Sequence, residues 1–77
     1  MLTKREINDI ALNYNCFIDF FDRIYHILNG DKVLLGKIYY KESTEYYHAI
    51  NILEVRYEGN KNFEALLIMF LKGEKVI

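Results

Sequence analysis

Proline, tryptophan and glutamine are absent from this chain, and serine and cysteine each occur once. A lone Cys16 excludes an intramolecular disulfide, so no covalent framework staples the fold, and a reducing cytoplasm is the expected setting. Glycine is scarce and scattered at positions 30, 36, 59 and 73. None of the four opens an expected helix, which excludes a phosphate-cradling loop. Charge of one sign is also missing: 10 basic residues face 11 acidic ones, for a net charge of -1. No global field therefore drives the chain toward nucleic acid or an anionic membrane. The longest unbroken apolar run, residues 65–71, is far too short to cross a bilayer. Lys4, Arg5, Glu6, Asn8 and Asp9 interrupt any signal-peptide pattern near the N-terminus.

What remains is globular composition, 52% hydrophobic and 27% charged, on 77 residues. That is one domain, residues 1–77, with no internal repeat or linker. A chain of this size buries about 60–65% of its unfolded surface and is stable by on the order of 5 kcal/mol. Lys, Ile, Tyr and Asn are frequent, a bias that resembles coding from AT-rich DNA.

The clearest expected element is an N-terminal helix. Thr3-Lys4-Arg5-Glu6 fits a capping box, and Gly30 after Asn29 fits a left-handed stop. Between them apolar residues recur at Ile7, Ile10, Ala11, Tyr14, Phe17, Ile18, Phe21, Ile24, Tyr25 and Leu28, a helical stripe. The spacing predicts a helix over residues 4–29, about 39 Å long. Asn13, Tyr14 and Asn15 form its weak point, where a bend or break is expected. Residues 33–40 read as a strand, with Lys37, Tyr39 and Lys41 on one face and Leu34, Ile38 and Tyr40 on the other. Residues 46–57 fit a strand better than a helix, because Ile52 and Val55 would spoil a helical polar face. Residues 63–71 are apolar nearly all round and read as a third strand; a short helix capped by Asn62 is the alternative. The expected fold is α+β: one long helix on a three-stranded antiparallel sheet, or a two-helix α+β fold if the last segment is helical.

No constellation for catalysis stands out. Cys16 and His26 lie ten residues apart, about 15 Å along one helix, and Ser43 sits in a polar connection. Asp19, Asp22 and His26 share one side of the expected helix, too few ligands for a metal site. No catalytic residue, metal or cofactor is expected, and the chain does not read as an enzyme. Two surfaces compete for attention. Leu12, Cys16, Phe20 and Ile27, with Arg23 beside them, form a second apolar patch opposite the main stripe of the expected helix. Such a patch points to a protein partner or a homodimer; the alternative is that the C-terminal segment folds back over it, or that the helix kinks at Asn13–Asn15 and re-aims its faces. Lys37, Tyr39 and Lys41, joined by Arg56 with Tyr46 or His48, form a basic and aromatic strand face of the kind that grips single-stranded nucleic acid. The expected function is a small non-enzymatic protein-binding module that docks on its target. Size and composition fit an inhibitor of a host enzyme or defence system carried by a phage or mobile element, anti-CRISPR proteins among them. The alternative is a small nucleic-acid-binding or regulatory protein. No membrane partner is expected.

Overall fold

The computed structural model describes residues 2–75, with side chains described for residues 2–73. The fold is α+β, as expected in class, but with two helices and five strands: α1 (Lys4–Leu12), β1 (Cys16–Phe21), β2 (Ile24–Asn29), β3 (Leu34–Lys41), β4 (Tyr46–Asn51), β5 (Arg56–Asn60) and α2 (Phe63–Lys75). The strands form one antiparallel meander in the order β1-β2-β3-β4-β5.

The capping box forms: Glu6 N donates to Thr3 Oγ1 at 3.2 Å and Thr3 N donates to Glu6 Oε1 at 2.9 Å. The Thr3 N–H holds the Glu6 carboxyl below its ordinary range. The expected helix over residues 4–29 does not form beyond Leu12. Residues 13–15 tighten into a turn in which Asn13, Tyr14 and Asn15 donate to the carbonyls of Ile10, Ala11 and Leu12, and Asn15 takes a left-handed φ of 57°. The chain then enters a hairpin. Cys16, Ile18 and Phe20 alternate with Phe17, Asp19 and Phe21, and Tyr25 and Ile27 alternate with Ile24, His26 and Leu28. Most of these are β-branched or aromatic residues, which favour a strand. Both alternating sets are largely apolar, and interleaved they imitate a helical stripe. That is why the period misleads.

Two further expectations are corrected. Residues 46–57 are not one strand but β4 and β5, separated by a turn around Asn51. Residues 63–71 are not a strand but the body of α2, the two-helix alternative. Asn62 caps it, accepting on Oδ1 from Ala65 N at 3.0 Å. Leu66, Leu67, Phe70 and Leu71 then fall on one helical face and are fully buried.

Every connection from α1 to β5 contains one non-glycine residue with positive φ: Asn15, Asp22, Lys32, Glu45 and Glu54. The β2–β3 and β4–β5 turns repeat one design. Asn29 Oδ1 accepts from Asp31 N and Val33 N at 2.8 and 3.0 Å. Asn51 Oδ1 accepts from Leu53 N and Val55 N, both at 2.9 Å. Each asparagine side chain replaces a missing backbone acceptor.

Both helices lie on one side of the sheet. Ile7 and Ala11 of α1 and the four buried residues of α2 close over Cys16, Ile18, Ile27, Ile38 and Ala49. At the free edge, Asn8 Oδ1 of α1 accepts from Ile18 N at 3.0 Å, which blunts the β1 edge. Phe70 is seated over Gly36: a Cβ there would lie 2.7 Å from Phe70 Cζ and 2.8 Å from Asn51 Cα, and would collide with the Ile50 carbonyl. Gly36→Ala is expected to cost about 1–3 kcal/mol and Phe70→Ala about 3–5 kcal/mol, read by urea denaturation. In a domain this small both changes should lower the melting temperature by at least about 4 °C, and Gly36→Ala without effect would mean α2 does not press on the sheet there.

Candidate functional site

The face away from the helices follows from strand register. One row runs across all five strands: Asp19, His26, Lys37, Ile50 and Arg56. The next row is Phe21, Ile24, Tyr39 and His48, and beyond it Lys41 pairs with Tyr46. These side chains alternate with the buried set, so they point to the other side. No helix or strand among the described residues packs on them. Phe21 is 70% exposed.

A sheet face left to water usually carries polar side chains. This one carries aromatic and aliphatic groups with basic groups among them. The Tyr39 and His48 rings stack with centroids 5.8 Å apart and planes at 24°. Lys37 Nζ lies 5.9 Å from the Tyr39 centroid, and Lys61 Nζ lies 5.7 Å from that of Tyr46. His48 Nε2 is held 3.0 Å from Thr44 Oγ1, which fixes the ring. Gly59 leaves room for both rings, since a Cβ there would stand 3.0 Å from His48 Cε1 and 3.2 Å from Tyr46 Cδ2. A shallow hollow of about 440 Å³ opens beside them, lined by Asp22, Arg23, Ile24, Lys37, Tyr39, Tyr40, Ile50 and Arg56. Within the rows Lys37, Lys41 and Arg56 are basic and Asp19 alone is acidic, although the whole chain has a net charge of -1.

The structure separates the residues of the first expected patch. Leu12 is exposed at the end of α1, while Cys16 and Ile27 are fully buried under the helices. Phe20 packs edge-on against Tyr25 with Lys4 Nζ 5.2 Å above its ring, and Arg23 lies in the β1–β2 turn, 2.8 Å from Glu42 Oε1. In the hairpin Cys16, Phe20 and Ile27 share the inward face and belong to the core under the helices, so the five residues form no exposed surface. Lys37, Tyr39, Lys41 and Arg56, by contrast, share the uncovered face with Tyr46 and His48. The reading of the sequence missed Phe21, Ile24, His26 and Ile50 as their neighbours. For Phe21 and Ile24 the signal was the second, outward apolar alternation in residues 16–29, which was absorbed into the helical stripe.

Cys16 Sγ is buried and donates to the Tyr14 carbonyl at 3.4 Å, while His26 lies on the opposite side of the sheet. Asp19 and His26 are cross-strand neighbours, but no group of three or more His, Cys, Asp or Glu able to hold a metal occurs among the described residues. No helix among the described residues is long and apolar enough to cross a membrane. Comparison with protein-family models, curated proteins and solved structures finds no match to this chain.

On the helix side a second hollow, of about 550 Å³, lies between the N-terminal ends of α1 and α2, with Tyr25, Tyr47 and Phe63 in its wall. Burial pushes the Tyr25 phenol above its ordinary value of 10.0, and the neighbouring Tyr47 adds to the shift. The folded state thus holds this proton more tightly than the unfolded chain. The stabilisation is complete below pH 10.0 and is lost as pH rises through the folded value. Thermal melts between neutral and strongly alkaline pH should show a loss of stability that Tyr25→Phe diminishes; an identical alkaline decline in that variant would assign the effect elsewhere.

Proposed function

We propose that this chain is a non-enzymatic binding module that docks its uncovered sheet face on a protein partner. One observation carries the reading: the outward row of Phe21, Ile24, Tyr39 and His48, flanked by Lys37, Lys41 and Arg56, lies on a face to which neither helix contributes cover. Exposed apolar and aromatic surface of this kind costs solubility unless something covers it. Its aromatic centre with Arg56 nearby has the residue types that protein interfaces favour. Docking alone is a sufficient mechanism for an inhibitor, which needs only to occupy a surface its target uses. Size and composition favour that role, in the manner of phage-borne inhibitors of host enzymes or defence systems.

A second reading has its own support. The stacked Tyr39 and His48 rings lie beside Lys37 and within one strand pair of Lys41, an arrangement suited to a base and its phosphates. Two variants separate the readings. Phe21→Asp changes a side chain that is 70% exposed and should leave the melting temperature unchanged. A protein captured by the wild type, then purified, should bind Phe21→Asp at least about tenfold more weakly if the aromatic row anchors the contact. Retention of full affinity by Phe21→Asp and by Tyr39→Ala would overturn the docking reading. Single-stranded RNA or DNA bound at low salt, lost in Lys37→Glu/Lys41→Glu and kept in Phe21→Asp, would instead establish the nucleic-acid reading.

A further inference from the structure

Asparagine occurs at seven positions, and only Asn29 is followed by glycine. That order matters chemically. An asparagine carboxamide is labile because the backbone nitrogen of the next residue can attack its Cγ. A side chain on that next residue obstructs the approach, and glycine has none. The pair sits at the start of the β2–β3 turn, where Gly30, Asp31, Lys32 and Val33 are all exposed.

The β4–β5 turn offers an internal comparison. In both turns the leading asparagine Oδ1 accepts from the residues two and four places on: Asp31 N and Val33 N for Asn29, Leu53 N and Val55 N for Asn51. These bonds fold each carboxamide back over the peptide bond that follows it. They also aim two N–H donors at the oxygen that gains negative charge when Cγ is attacked, which is how a tetrahedral intermediate is stabilised. The turns differ at the attacking nitrogen. Ile52 N donates to the Leu35 carbonyl at 3.0 Å, and Ile52 carries a β-branched side chain. Gly30 N donates to no acceptor among the described residues. A Cβ at position 30 would stand 2.7 Å from Asn15 Nδ2, so the packing that demands a glycine also exposes its neighbour.

We infer that Asn29 is a site of spontaneous deamidation, converted to aspartate and isoaspartate within the native turn. Hydroxide removes the Gly30 N–H proton as that nitrogen bonds to Asn29 Cγ. The carbonyl electron pair moves onto Oδ1, between Asp31 N and Val33 N, and returns as the Cγ–Nδ2 bond breaks. Nδ2 takes a proton from water, which restores the hydroxide, and leaves as ammonia. The cyclic succinimide that remains adds one water at either of its carbonyls, giving aspartate or isoaspartate. One water is consumed and one ammonia released, with no change of oxidation state. Either product adds one negative charge to a chain of net charge -1. Aspartate keeps an oxygen for the Asp31 and Val33 N–H groups. Isoaspartate routes the backbone through the former side chain and lengthens it at the end of β2. The site lies outside the outward rows of the sheet, so this inference and the docking reading stand or fall separately.

Incubation of native protein in mildly alkaline buffer, followed by peptide mapping with mass spectrometry, tests it. The peptide holding Asn29 should gain the mass of an amide turned to an acid and separate into aspartyl and isoaspartyl forms. The peptide holding Asn51 should stay unchanged. Native protein should convert at least as fast as the chain unfolded in guanidinium, because the turn holds the carboxamide in place and stabilises its oxygen. Ile52→Gly gives the second turn the same dipeptide but leaves its N–H on the Leu35 carbonyl, and Ile52 is 55% exposed, so the fold should tolerate the change. In that variant Asn51 should convert about tenfold more slowly than Asn29, the cost of releasing one hydrogen bond. A native rate below that of the unfolded chain would overturn the proposal, since the fold would then protect the side chain. So would conversion of Asn51 in step with Asn29 in Ile52→Gly, or conversion of another asparagine ahead of Asn29 in the wild type.

Discussion

The fold turns on the seat of Phe70 over Gly36. A fully buried ring packed on the sheet needs a strand position without a side chain beneath it, and the central strand β3 supplies one at Gly36. Once α2 is fixed there, its neighbours Leu66, Leu67 and Leu71 complete the layer over β4 and β5, and α1 packs against β1 with Ile7 and Ala11 in the same core. Among the described residues eleven buried side chains make up that core, and they lie between the sheet and the helices. A domain this small has no second layer to spend on the other face. The uncovered face is therefore a consequence of how the core is built, and its apolar rows are what needs explaining.

The same rows explain what could be read in the sequence. The N-cap of α1 was legible because Thr3 and Glu6 carry a local signal that depends on nothing distant. The weak point at Asn13–Asn15 was legible too, and there the helix stops. The strand partners of Lys37, Tyr39 and Lys41 followed from simple alternation. The hairpin of β1 and β2 was hidden for a physical reason. Strand periodicity shows in sequence only when one face is polar, and here Phe17, Phe21, Ile24 and Leu28 make the outward face apolar as well. Position 22–23 also lacks the glycine that usually announces a two-residue hairpin; Asp22 takes the left-handed conformation instead. In α2 the difficulty was reversed. A short apolar run with a good cap at Asn62 fits strand or helix, and only packing on Gly36 decides.

The turns show a consistent economy. Five connections each place one non-glycine residue in the left-handed region, and two of them use an asparagine side chain to hold the strained loop. Glycine is thereby kept for positions where a side chain would not fit, under Phe70 at Gly36 and beside His48 at Gly59. The residues freed at the turns, Lys32 and Glu54 among them, can then carry charge and shape outward.

The most direct test of this account asks which side of the β1–β2 hairpin is covered. The wild type has a single thiol, Cys16, buried beneath α1, and a Phe21→Cys variant adds a second one on the opposite face. Titration of native protein with a thiol reagent should modify the introduced cysteine rapidly and leave Cys16 unreacted until the chain is unfolded. Rapid modification of Cys16 in the native wild type, or protection of the introduced thiol, would contradict the account: the helices would not lie where the core requires them, and the uncovered face would be the wrong one.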